Sequence, residues 1–410
     1  MREPCDLMIA RVGAQGDGVA ETANGPVFVP FTLAGERVRA VVEGTAGQLV
    51  EVLAPSNDRV VPPCRHFTIC GGCALQHMAT PAYRAWKTKQ VAATFRARGL
   101  DVVVNDIIAC KGARRRAALS ARATSAGVLL GFHEAASHDL VDLEECCVLH
   151  PSIVAALPKL RALIAPLLSR RGETRVIATW TLGGLDVALE DVAAKLTPEL
   201  RAGLAQAASS AAVARVSVNG DPVYESLTTA LRFGNAEVIA PPGVFLQAVA
   251  EMEEAMADLV LRAAGKSKAI ADLFCGVGAF TFRLAERAKV FAADSDKRAI
   301  AALNAALKKA RGLKPVEART RDLFREPLSA TELRDFDCVV FDPPRAGADA
   351  QARMLARSQV KTVIAVSCNP ATLARDARTL IDGGYILESV TPVDQFLYSP
   401  HIEAVAVFRR

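Results

Sequence analysis

The pattern of apolar positions divides the chain into three stretches. In residues 1–54 short apolar runs (Leu7 to Ala10, Val27 to Val29, Val38 to Val42, Leu49 to Leu53) alternate with glycine-rich turns at Gly13, Gly16, Gly18, Gly25, Gly35, Gly44 and Gly47. Close strand spacing of this kind predicts a small all-β barrel. Residues 55–235 are mixed. Helices are predicted over 83–98, 152–169 and 198–214, and an alternating pattern from Lys111 towards Phe132 reads as a hairpin. Residues 236–410 open with a helix predicted over 244–264. Strands are then expected at 269–274, 289–293, 316–319, 337–341, 362–366, 386–391 and 402–408, with helices after 279, 296 and 370. Strand and helix in alternation predict a mostly parallel sheet covered on both faces, so the fold class is α/β.

Candidate chemistry collects at the predicted strand ends, where open α/β sheets bind ligands. Ser367-Cys368-Asn369-Pro370 follows the apolar run 362–366. Pro370 suits the first turn of a helix, and a helix amino terminus would favour the thiolate of Cys368. An inert buried cysteine is the alternative. Asp272 to Gly278 (DLFCGVG) joins a strand to a helix, and its glycines let backbone approach a ligand. Thr281 stands where a dinucleotide fingerprint needs glycine. Asp294 ends the next strand, where a carboxylate would hold ribose hydroxyls, so a nucleoside cofactor is expected. Two prolines stiffen Asp342-Pro343-Pro344-Arg345, which either aims Asp342 and Arg345 or only stiffens a loop. Glu403, in His401-Ile402-Glu403, is either edge polarity or a general base.

Composition narrows the setting. A chain of 410 residues suits two or three domains. No apolar run is long enough to span a membrane, and the polar start argues against secretion, so a cytoplasmic protein is expected. The net charge is only +5, yet residues 84–122 hold ten Lys/Arg against two Asp/Glu. A local basic field of that size suits a polyanion, with a solvated helix face as the alternative. Arg114-Arg115-Arg116 reads as a cationic strand edge, which also guards against aggregation. Ten cysteines in such a chain point to metal or catalysis rather than disulfides. Cys64, Cys70 and Cys73 are one thiol short of an iron–sulfur site, and Cys146 or Cys147 could complete it. Zinc with His66 or His77, or a Cys70–Cys73 redox pair, are the competing readings.

Five ordered motifs resemble the S-adenosylmethionine-dependent RNA uracil-5-methyltransferases: Phe245-Leu246-Gln247, Asp272 to Gly278, Asp342 to Arg345, Ser367 to Pro370, and His401-Ile402-Glu403. The resemblance implies a class I, Rossmann-like methyltransferase domain over 236–410. It also implies a TRAM-like barrel over 1–54 and a central α+β RNA-binding domain over 55–235. It further implies Gln247, Phe274, Asp294, Asp322 and Asp342 as contacts to S-adenosylmethionine. Cys368 would be the nucleophile and Glu403 the base. Cys64, Cys70, Cys73 and Cys146 would hold a 4Fe–4S cluster, Cys147 being second choice. The partner implied is RNA, large-subunit (23S) rRNA before tRNA, with no membrane and no obligate protein partner. Three positions depart from the family pattern: Ala279 for Asn, Asp294 for Glu and Leu397 for Pro. Ala279 and Leu397 keep open a non-catalytic iron–sulfur RNA-binding protein. An amino-directed base methyltransferase fits less well, because Arg345 replaces its loop aromatic and Cys368 would have no task.

Overall fold

The computed structural model describes residues 3–169 and 172–410. Its largest sheet has seven strands. In spatial order they are Val316–Thr320, Lys289–Asp294, Ala269–Leu273, Cys338–Phe341, Thr362–Ser367, Glu403–Arg409 and Ile386–Val393. The first five are parallel, and Glu403–Arg409 runs antiparallel to both of its neighbours. The apolar runs of the sequence are continuous because both faces are covered. Leu273, Val339, Phe341, Val363 and Ala365 face one side, against helices Asp349–Ala356, Pro370–Asp382 and Thr80–Arg96. Ile270, Val340, Ile364 and Val366 face the other, against Ala250–Ala264 and Thr281–Ala285. No helix among the described residues is long and apolar enough to cross a membrane.

Helix starts follow local chemistry. Asp296 caps Lys297–Leu307, its side chain accepting from the amides of Arg298 and Ala299. Asn369 caps Pro370–Asp382 by accepting from Ala371 N–H. The helix expected over 244–264 begins only at Ala250. Residues 244–249 form a loop because their carbonyls are used sideways. Arg115 donates its backbone N–H to Ala248 O at 2.8 Å and its Nε to Gln247 O at 3.4 Å, and Arg116 Nε donates to Val244 O at 3.2 Å. Helical spacing in the sequence continues past the point where the hydrogen bonds stop.

A second six-stranded sheet holds Arg116–Thr124, Gly127–Gly131, Glu173–Thr181, Gly184–Glu190, Arg215–Val218 and Asp221–Glu225. Helices Pro151–Ile164 and Pro198–Ala211 pack on it through Leu157, Leu160 and Leu204. The four strands after residue 172 were not expected. The amino-terminal sheet has six strands, Cys5–Met8, Arg11–Val12, Gly18–Thr22, Gly25–Val29, Arg37–Glu43 and Ala46–Ala54. They enclose Ile9, Val27, Val29 and Val38, an arrangement compatible with a barrel. Gly18 and Gly47 stand inside strands, not at turns. A Cβ on Gly18 would lie 2.0 Å from Thr32 Oγ1, so the glycine is there for close packing.

The expected cationic edge is a correction. Arg115 is buried and pairs with Glu253 at 2.7 Å. Arg116 bonds to loop carbonyls, and the half-buried Arg114 guanidinium lies 5.8 Å from the Phe396 ring centroid. Charge in a sequence does not distinguish a surface group from one that spans two segments. Arg115→Met leaves Glu253 buried and unpaired, and a loss of about 3–5 kcal/mol is expected in urea unfolding. The double change Arg115→Met, Glu253→Leu restores most of it.

Candidate functional site

Four parallel strands, ending at Leu273, Asp294, Phe341 and Ser367, open to one edge of the large sheet. The first leads into a tight turn. Phe274 takes φ +61°, followed by Gly276 at +53° and Gly278 at +96°. A Cβ on Gly278 would come 2.8 Å from the Phe282 ring. Asp294 buttresses this turn, accepting Gly276 N–H at 2.9 Å and Asp296 N–H at 2.8 Å. Antiparallel pairing of Ser367 with Ala404 brings Cys368 and Glu403 out at the same end of adjacent strands.

Between these ends lies a cavity of about 350 Å³. Gln247, Phe274, Asp294, Asp342, Cys368 and Glu403 all line it, as do Arg345, Ala279 and the exposed Phe245. Asp322 does not. Its carboxylate accepts Phe324 N–H at 3.1 Å, and it is Phe324 that reaches the wall. The Phe324 ring is 5.4 Å from that of Phe274. This tilted pair gives the cavity an aromatic wall, and Phe324 is the residue that the sequence reading missed. An apolar residue two places after a strand-end acid was the available signal.

Burial governs the electrostatics. Asp342 is held above the ordinary carboxylate range by desolvation, though Gln247 Nε2 donates to it at 2.9 Å. Glu403 is also raised, by burial first and by the negative field of Asp342 second. The Cys368 thiol is pushed up to about 11 by burial, then by Glu403 and Asp342, with the Arg345 guanidinium opposing. The expected help from the helix amino terminus is outweighed by these neighbours. Arg345 sits on a loop pinned to the helix after Cys368, its carbonyl accepting Asn369 Nδ2 at 3.0 Å and Thr372 Oγ1 at 3.3 Å. His401, 3.4 Å from Arg345, is held below the usual imidazole range by burial and then by that cation.

Residue Leu397, where the family pattern favours proline, packs with Leu33, Leu75, Met78, Tyr83 and Trp86. The next residue is fixed too: Tyr398 N–H donates to Tyr83 Oη at 3.0 Å, and its carbonyl accepts from Ala74 and Leu75. The loop before His401 is thus anchored without the proline.

Far along the sequence from these residues, Cys64, Cys70, Cys73 and Cys146 line one small cavity. All are reduced thiols and partly buried, and Gly72 N–H points at Cys70 Sγ at 3.4 Å. Cys147 is exposed and lies outside that cavity, and His77 is buried beside Phe67, also outside it. Among the described residues no group of three or more His, Cys, Asp or Glu is placed to hold a metal ion. The four thiols ring a space instead.

Residues 184–410 match the family model described as tRNA (uracil-5-)-methyltransferase. A Caulobacter vibrioides protein named an uncharacterized RNA methyltransferase is 49% identical, over 99% of this chain and 100% of its own. The 23S rRNA (uracil(1939)-C(5))-methyltransferase RlmD of Chromohalobacter salexigens is 32% identical, over 98% of this chain and 89% of its own. The crystal structure of Pyrococcus abyssi tRNA (uracil-54, C5)-methyltransferase with S-adenosyl-L-homocysteine superposes with a TM-score of 0.75. It is 21% identical and covers 98% of this chain and 99% of that one, so the fold is shared along the whole length.

A thiol held near 11 alkylates slowly at neutral pH. Mass spectrometry of the Cys368 peptide after brief iodoacetamide treatment is expected to show modification still rising between pH 8 and pH 10. Arg345→Ala removes the opposing cation, so modification at pH 8 falls further.

Proposed function

Because the chain belongs to the tRNA (uracil-5-)-methyltransferase family, we propose that it methylates carbon 5 of a uridine in RNA, using S-adenosylmethionine. One observation carries the reading: a thiol and a buried carboxylate, Cys368 and Glu403, meet in one cavity with Gln247, Asp342 and Phe274. The cavity fits a nucleoside bearing a cation. It offers an aromatic pair for a purine, Asp294 at a strand end for ribose, and uncompensated carboxylates for a positive sulfur.

Carbon 5 of uracil is a poor nucleophile. The Cys368 thiolate adds to carbon 6, and the ring electrons move onto the C4 carbonyl as an enolate. Carbon 5 then bonds to the donor's methyl carbon as the methyl–sulfur bond breaks, its electron pair staying on sulfur so that a neutral thioether leaves. The hydrogen left on carbon 5 leaves as a proton to Glu403, and the returning electron pair expels Cys368. A non-catalytic chain would have no need for a thiol and a base at one cleft. The target base must leave its stack to reach this depth, and the exposed Phe245 would receive it. The RNA backbone is met by exposed Arg84, Lys89, Arg96 and Arg98 on or beside the Thr80–Arg96 helix, and by Lys111. The amino-terminal barrel adds a further RNA surface, in the manner of a TRAM domain.

Large-subunit rRNA is the preferred substrate, since the relative that acts on 23S rRNA aligns along almost the whole chain. A tRNA substrate is the alternative suggested by the family model's description. The four-thiol cavity fits a 4Fe–4S cluster: four thiols surround a space, and one glycine amide already faces a sulfur, while His66 on the same wall keeps zinc as the alternative. Such a cluster would tie Cys146 to the segment holding Cys64, Cys70 and Cys73.

Two outcomes test this. Cys368→Ala is expected to lose 5-methyluridine formation on a 23S rRNA transcript by at least about 10⁴-fold while still binding S-adenosylmethionine; nucleoside mass spectrometry that finds the product undiminished removes the mechanism. Anaerobically purified protein is expected to contain about four iron and four sulfide per chain, and zinc without iron overturns the cluster.

A further inference from the structure

Gln395 lies two residues past the end of the Ile386–Val393 strand and is 1% exposed. Its side chain meets three partners. Its Oε1 accepts Ala248 N–H at 2.8 Å, and its Nε2 donates to Gln247 Oε1 at 2.6 Å and to Glu403 Oε1 at 2.8 Å. Gln247 in turn donates its Nε2 to Asp342 Oδ2 at 2.9 Å. The order of donors is forced. A backbone N–H can only donate, so the atom of Gln395 facing Ala248 is oxygen. Its NH₂ group then faces Gln247 and Glu403, and the Gln247 NH₂ group is left for Asp342. One main-chain amide therefore sets the polarity of a chain that runs from Asp342 to Glu403.

The consequence falls on Glu403. Its Oε1 is taken by Gln395, while its Oε2 is buried and has no hydrogen-bond partner. A buried carboxylate oxygen with no donor is costly to leave so, and it is the one free to accept a proton in the cleft. We propose that Gln395 is the positioning residue for the base: it holds Glu403 with Oε2 towards carbon 5 and ties the base to the 244–249 loop. The inference rests on the uracil-5-methyltransferase reading above. Gln395 touches neither substrate nor donor and acts through Glu403 and Gln247.

The backbone around Gln395 is secured independently. Lys87 Nζ, fully buried, pairs with Asp394 Oδ1 at 2.5 Å and donates to Phe396 O at 3.2 Å and His401 O at 2.7 Å. A side-chain change at Gln395 therefore leaves the loop anchored from its other side. Gln395→Met keeps the length and removes both the donor and the acceptor.

The test follows two labels in one reaction: a 23S rRNA transcript tritiated at carbon 5 of uridine, and S-adenosylmethionine carrying a ¹⁴C methyl group. The wild-type protein is expected to release one tritium for each methyl transferred. In Gln395→Met, methyl transfer precedes the lost step, so tritium release per methyl is expected to fall by at least about tenfold, a modest share of a general base's contribution. A protein–RNA adduct stable to denaturant and carrying ¹⁴C accumulates alongside. The ratio is insensitive to partial misfolding, which lowers both labels equally. A Gln395→Met protein in which both labels fall together, or neither falls, overturns the positioning role while leaving the reaction standing. A wild-type protein that moves neither label on this transcript or on total RNA from cells lacking the protein overturns the reaction and the positioning role with it.

Discussion

Carboxyl groups taken out of water are the constraint around which the cleft is built. Asp272 and Glu403 are fully or nearly fully buried, and Asp342 partly so, near the ends of neighbouring strands. Asp272 receives Thr281 Oγ1 at 2.5 Å, yet burial still pushes it up to about 7. Its other oxygen has no partner, like Oε2 of Glu403. Ionised carboxylates held this way raise the energy of the empty site and favour any cation that enters. Burial, together with that field, pushes the Cys368 thiol up and favours its protonated form. A positively charged donor bound beside Asp342 would relieve both effects at once.

Support for that cleft comes from elsewhere in the chain. The loop that carries Gln247 is held by Arg115 and Arg116, from the start of the central sheet. The loop that leads to Glu403 is held by Lys87 and Tyr83 of the Thr80–Arg96 helix, and that helix packs Val91 and Phe95 into the core of the large sheet. Cations that look like a polyanion surface in the sequence thus serve as struts. An arginine with five donors can satisfy several carbonyls and a carboxylate together, which a loop without regular hydrogen bonds requires. The basic surface that remains is the outer side of the helix, where side chains stay in water.

How far the fold was legible follows from the same physics. Strands covered on both faces write themselves as unbroken apolar runs, and Thr362–Ser367 and Cys338–Phe341 were found within a residue or so. The helix starts after residue 296 and at Pro370 were readable because the contacts that set them, from Asp296 and Asn369, span no more than three residues. The pattern failed where helical spacing ran on into residues 244–249, and in the central sheet. There, Gly184–Glu190 buries both faces and its parallel neighbour Arg215–Val218 is reached through an intervening helix.

The sequence by itself determined which chemical groups stand at the strand ends, a thiol at 368 and carboxylates at 294, 342 and 403, and that three cysteines, 64, 70 and 73, fall within one short segment. These positions follow from alternation along the chain, which is local. Tertiary structure alone decided which charges are paired and which oxygens are left free. Arg115 meets Glu253 across 138 residues, and Gln395 meets Gln247 across 148. Contacts of that separation depend on how sheets and loops come together in space. The free energy of a buried charge depends on those neighbours, so neither Gln395 nor the struts could be read from residue type and spacing.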